Sequence, residues 1–189
     1  MKTAAFFEPI QKALETRYGP GSWLLSTAGS SPYFNYSLME ERKLDPVEVQ
    51  RVAARAIATA PNVARVYTRE QLLTVRASAD VFDRRVLRSF NARRSGDLEI
   101  LLDPYWIRGN TGATHGTPYN YDTHIPLIFM GPGIRAGRYY QSVAMNDLAP
   151  TLASLLDVET PSGSVGRVLH EALATPVPMN GEPSPSPSR

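Results

Sequence analysis

The chain contains no cysteine, which excludes disulfides and thiolate metal sites. Any metal must therefore rest on histidine, carboxylate or hydroxyl groups, and histidine is scarce, with three among 189 residues. No apolar run approaches the roughly 18 residues that a membrane-spanning helix needs. Neither sign of charge dominates: 20 Lys and Arg face 18 Asp and Glu. Composition thus gives no push towards nucleic acid or an anionic membrane. HExxH, P-loop and GxSxG patterns are missing, as is any internal repeat. The opening "MKTAAFFEPIQKALETRYG" does not suit a signal peptide, because Glu8, Gln11 and Lys12 interrupt its apolar stretch. The expectation is a cytosolic chain, or one whose export signal lies on sequence outside it, and the localisation stays open.

Hydrophobic residues make up 42% and charged residues 20%, enough for one domain with a core. Residues 3–18 read as a helix with Phe7, Ile10 and Leu14 on one stripe. The residues 22–27 suit a short strand, and 28–37 an irregular link. Asp45 is a natural helix cap, Pro46 fits the first helical position and Glu48 completes a capping box. Val49, Val52, Ala53, Ala56, Ile57 and Ala60 then share one face, and Pro61 stops the helix. A strand over 62–68 follows. Thr68 and Gln71 cap a short helix over "REQLLT". Ser78 opens another helix, with Phe82, Val86 and Phe90 every four residues.

Arg84, Arg85, Arg88, Arg93 and Arg94 suggest a phosphate patch by type, but a solvated helix face is the simpler reading. A buried strand, "LEILL" (98–102), precedes a long irregular segment, 103–125. A second apolar strand, "PLIFMG" (126–131), comes next. Asp147 caps a helix with Leu148, Leu152, Leu155 and Leu156 facing inward, and a short helix ends near 174. Residues 175–189, rich in Pro and Ser, read as a disordered tail. Helices alternating with short apolar strands give an α/β class.

The segment "THGTPYNYDTHIPLIFMGPG" (114–133) concentrates two of the three histidines, an Asp, two tyrosines and several Gly and Pro. Long loops of this kind inside compact domains are usually functional or disordered, and its aromatic content favours order. A catalytic zinc takes about three ligands from His, Asp or Glu and keeps an open position. His115, Asp122 and His124 qualify by type. Gly116 lets the backbone turn sharply beside His115. Asp122 and His124, two apart in an extended stretch, would project to one side, sharing a metal or orienting one another. The plainer alternative is that each is an ordinary polar loop residue. His170 reads as a surface or capping residue. Before His115 no histidine occurs, and Asp45, Asp80, Asp83, Asp97 and Asp103 have none beside them. A two-metal site needs a second cluster and a nucleophile, which this chain does not offer.

"THGTPYNYDTHIPLIFMGPGIRAG" followed by "NDLAPTLASLLDVETPSGSVGRVLHEAL" resembles the alkaline phosphatase superfamily, in the bacterial phosphomonoesterase branch related to nucleotide pyrophosphatase/phosphodiesterases. "YFNYSLMEERKLD", "VARVYTREQL" and "RSGDLEILLDPYW" fit the same branch. The resemblance spans roughly residues 1–172. It implies an α/β fold, namely the C-terminal part of an alkaline-phosphatase-like sheet flanked by helices over 1–174, incomplete on its own. It also implies a site with two zinc ions, phosphate-ester hydrolysis and a covalent phospho-enzyme in the complete family.

By that resemblance His115 is a metal ligand, while Asp122, His124, Thr114 and Gly116 shape the loop behind it. The family's nucleophile and other ligands come earlier in its chains and have no counterpart here, so no catalytic residue is assigned and at most one partial zinc site is expected. The implied partner is a missing N-terminal half, with a phosphate ester as substrate once completed, and neither nucleic acid nor membrane. Two other readings stand beside it: a non-catalytic remnant or binding module that docks by sheet completion, and a sulfatase-like or other superfamily hydrolase. Family members generally work outside the cytoplasm.

Overall fold

The computed structural model describes residues 3–27, 31–108 and 112–174. The Pro/Ser-rich tail expected over 175–189 lies outside the described residues. The chain divides into two compact units, residues 1–125 and 126–189.

The first unit begins with α1 (Thr3–Phe6) and α2 (Glu8–Tyr18). The sequence stripe is realised, since Phe7, Ile10 and Leu14 are all buried. Gly19, at φ 89°, ends α2 and donates its N–H to Glu15 O. A short antiparallel pair follows, β1 (Leu24–Ser26) and β2 (Tyr33–Phe34), and then α3 (Tyr36–Glu41). The link expected over 28–37 therefore carries a strand and the start of a helix as well, because the Asn35 side chain accepts from Leu38 N and starts α3.

Helix α4 (Pro46–Ala58) starts where Asp45 and Pro46 place it, with Asp45 accepting from Val47 N at 3.0 Å. Glu48 does not close a capping box; it lies 3.7 Å from both Arg17 and Arg55. The apolar face of α4 packs against α2 and against β3 (Val63–Thr68). Helix α5 (Arg69–Thr74) carries the full Thr68/Gln71 capping box. Helix α6 (Val81–Ser89) is capped by Asp80, not by Ser78. Ser78 instead accepts from Asp80 N and donates to Asp83. β4 (Leu98–Leu102) pairs antiparallel with β3, Val66 opposite Ile100 and Thr68 opposite Leu98.

Trp23, Phe34, Met39, Val49, Ile57, Leu98 and Ile100 join the α2 stripe in one continuous core. Asp97 is the buried polar knot at its margin. Its carboxylate accepts from Phe34 N (2.8 Å) and from the Tyr36 hydroxyl, and its backbone bonds Pro32 O and Arg69 N. One side chain thus ties β2, α3 and the β3–β4 ribbon together. A last short helix, α7 (Asn120–Thr123), follows in the loop after β4.

In the second unit the apolar run 126–131 forms no strand among the described residues, and Ile128 and Met130 are 83% and 96% exposed. A strand needs a ladder partner, and no described strand pairs with these residues. Helix α8 (Leu148–Leu156) buries Pro150, Thr151 and Ala153, whereas Leu152 and Leu156 are exposed, contrary to the inward leucine face. The Asp147 side chain bonds no N–H of α8. It accepts from Ala144 N and Arg167 N, both at 2.9 Å. Thr151 adds a second tie, donating to Asp147 O and accepting from Leu169 N. Gly166 sits where an added Cβ would lie 2.0 Å from Asn146 O, so only glycine lets these segments meet.

Candidate metal-ligand loop

The loop from 112 to 119 is irregular and mostly exposed, including Thr114, His115 and Gly116. Gly116 has φ +91°, the left-handed region in which a side chain is costly. Gly116 thus supplies a left-handed backbone conformation directly after His115, and His115 itself is exposed. Beyond it, the backbone N–H of Thr117 donates to Asp122 Oδ2 at 2.9 Å and its hydroxyl to the same oxygen at 2.6 Å. These two hydrogen bonds close the loop onto α7. The hydroxyl and amide donors of Thr117 hold the Asp122 carboxyl below the ordinary carboxylate range, and the charge of His115 adds to that.

Helix α7 is in turn fixed to the rest of the unit. The Tyr119 hydroxyl donates to Leu102 O at the end of β4 (2.6 Å), and the Arg85 guanidinium donates to Pro118 O. Asp122 is half-buried and His124, at the C-terminus of α7, is exposed. His124 N–H bonds Asn120 O at 2.8 Å, which ends the helix.

Asp122 therefore shares a clasp with Thr117, and its partner across the loop is the one residue of the arrangement that the sequence did not single out. The available signal was the spacing of a Thr and an Asp either side of a Tyr-Asn-Tyr turn, which is common in loops. Of the carboxylates in the first 114 residues, those of Asp45, Asp80, Asp83 and Asp97 are engaged in the scaffold. Asp45 and Asp80 cap helices, Asp97 is the buried knot, and Arg65 pairs with Asp80 and Asp83 at 2.9 Å. Asp103 bonds Asn62 O through its backbone N–H. A cavity of about 410 Å³ between β3, α5 and α6 has Arg65, Tyr67 and Asp83 in its wall, and these bond one another.

A zinc site needs three or four converging ligands. Among the described residues no three of His, Asp and Glu converge in this way. The described residues do not fit a complete metal centre; His115 and His124 are both exposed, and no three candidate ligands meet.

No family model matches the chain. Among curated proteins it is 30% identical over 179 residues to alkaline phosphatase PafA of Elizabethkingia meningoseptica, covering 92% of this chain and 33% of that protein. It is 29% identical over 174 residues to a calcium-transporting ATPase of Myroides odoratus, covering 90% and 32%. Alkaline phosphatase PhoV of Synechococcus elongatus is 42% identical over 90 residues, 47% of this chain and 16% of that protein. The solved structure of wild-type PafA superposes with a TM-score of 0.81 at 28% identity, over 90% of this chain and 33% of that one.

The fold is thus that of about a third of an alkaline-phosphatase-type structure. The chain belongs to the alkaline phosphatase superfamily, and it spans about a third of the length of PafA and of the Myroides odoratus protein.

Proposed function

We propose that this chain forms the C-terminal part of a zinc-dependent phosphoesterase and supplies one ligand, His115, to a two-metal centre whose other ligands and nucleophile lie on a complementary region. The observation that carries this reading is the exposed His115 between Thr114 and Gly116, on a loop held by the Thr117–Asp122 clasp. Zinc would supply Lewis-acid stabilisation of phosphoryl oxygens. The residues of this chain shape the loop: Asp122 holds Thr117, Gly116 takes the left-handed conformation that follows His115, Thr114 precedes it, and His124 ends α7. Alone, with one ligand and no nucleophile, the chain hydrolyses nothing measurable.

The test is a chimera in which this chain replaces the corresponding third of PafA. Phosphate release from para-nitrophenyl phosphate is expected, and it should fall to the uncatalysed level in His115→Ala. A His115→Ala chimera as active as its parent would overturn the assignment.

A second reading, a non-catalytic module that docks by completing a sheet, is favoured by the unpaired 126–131 segment with Ile128 and Met130 bare. Under it, the chain binds the rest of PafA without restoring turnover.

A further inference from the structure

Four rings from three separate stretches of the first unit form a ladder. Phe82 of α6 meets Tyr119 edge-on with ring centroids 5.4 Å apart. Tyr119 stacks on Tyr121 at 5.6 Å, and Tyr121 on Tyr105 at 4.7 Å, both pairs tilted by 26°. The Arg65 guanidinium lies over Phe82 and closes the inner end. The outer end is open. Tyr105 is 83% exposed, and Trp106 beside it is 52% exposed.

Tyr105 also has φ +65°, a left-handed conformation that is uncommon and unfavourable for a bulky residue. Its N–H donates to the Tyr121 hydroxyl at 3.0 Å, which fixes it there. A ring held in an unfavourable backbone conformation and left in water does little for the core. Tyr121 remains 43% exposed even with Tyr105 against it, so Tyr105 is not acting as a lid over an apolar residue either. What the arrangement offers is a rigid π face at the end of a stack, with the spacing and tilt at which a further planar ring packs.

The position connects this face to the candidate ligand loop. Tyr121 immediately precedes Asp122, whose carboxylate holds Thr117, two residues from His115. We propose that the Tyr105–Tyr121 end of the ladder is a stacking subsite for the planar aromatic group of a phosphate ester, a nucleobase or an aryl ring. The phosphate half of that statement rests on the proposed function above; the ring half rests on the ladder alone. Stacking on an aromatic side chain tolerates any planar ring, since each has a π face, so the subsite selects for planarity and not for hydrogen-bonding pattern.

The test is ligand-observed NMR titration of the full chain with adenosine, adenosine 5′-monophosphate, phenyl phosphate and ribose 5-phosphate. Binding of at least one ring compound is expected, weakened about fivefold or more by Tyr105→Leu, in line with the loss of a base–aromatic stack. Tyr105→Phe, which keeps the ring, should bind within about twofold of the parent. Ribose 5-phosphate, which has no aromatic ring, should be indifferent to both substitutions. Dependence of adenosine on Tyr105 identifies a nucleobase subsite, and dependence of phenyl phosphate alone an aryl one; each supports the proposal. No binding by any ring compound, or binding unchanged in a folded Tyr105→Leu chain, overturns it. Failure of the proposed function would appear in the phosphate release of the chimera and would leave adenosine binding unchanged.

Discussion

Thr117 grips Asp122 twice, through its backbone N–H at 2.9 Å and its hydroxyl at 2.6 Å, and both bonds end on the same carboxylate oxygen. On the proposed reading, in which His115 is a metal ligand, a group that positions a ligand accounts for about 10–100-fold in metal affinity. In the PafA chimera, Asp122→Ala is expected to weaken zinc binding by about that factor, and Thr117→Val by less, because the backbone donor survives. Competition with a chromogenic chelator measures it. Unchanged affinity in Asp122→Ala would reduce the clasp to a local turn.

The buried Asp97 carries a heavier structural load. Asp97→Ala leaves Phe34 N and the Tyr36 hydroxyl without their acceptor, and an unsatisfied buried group costs about 1–3 kcal/mol, more when a charged partner is removed. Urea unfolding should show a loss of about 3 kcal/mol, with Asp97→Asn intermediate since it retains one acceptor.

Three phenols should titrate late: Tyr119, raised chiefly by burial, and more strongly Tyr36 and Tyr67. Burial, aided by the bond to Asp97, pushes Tyr36 up to about 12. Burial, aided by Asp83, pushes Tyr67 up to about 12 against the pull of Arg65. The folded values lie above the ordinary value of 10.0, so the stability these hydroxyls contribute is fully present below pH 10 and is lost as pH rises towards 12. Tyrosinate absorbance should rise in two phases, and Tyr36→Phe should remove part of the later one. A single phase centred near 10 would contradict these environments.

The bare segment 126–131 should make the chain self-associate, because unpaired apolar strand-formers invite pairing. Ile128→Lys with Met130→Lys is expected to keep the unfolding temperature and shift the light-scattering mass at high concentration towards the monomer. An unchanged mass would mean that these side chains are not the adhesive surface.

Legibility from sequence followed the range of the interactions. Helix α4 was readable because Asp45, Pro46 and an apolar face at helical spacing act within one element, and the Thr68/Gln71 box is equally local. Strand β3 was readable from the β-branched and aromatic residues of 62–68, and β4 as a short apolar run. The same logic failed for 126–131, which has strand composition but no described neighbour to pair with, and a strand is a property of two segments.

The leucines of α8 misled for a related reason. They mark a face that seeks a partner, while the contacts that do form run through Thr151, Asp147 and Leu169. In the candidate site, His115 and Asp122 were visible as residue types. Thr117 and the Tyr105–Tyr121 stack were not, since both depend on how the loop after β4 folds back.

The most direct test of the account is phosphate release from para-nitrophenyl phosphate by the purified chain with added zinc, beside His115→Ala. The account predicts no turnover above that control, because one imidazole without a nucleophile or partner ligands does not make a catalytic metal centre. Zinc-dependent turnover that disappears in His115→Ala would contradict it, and would mean that this chain completes a metal site from residues assigned here to the scaffold.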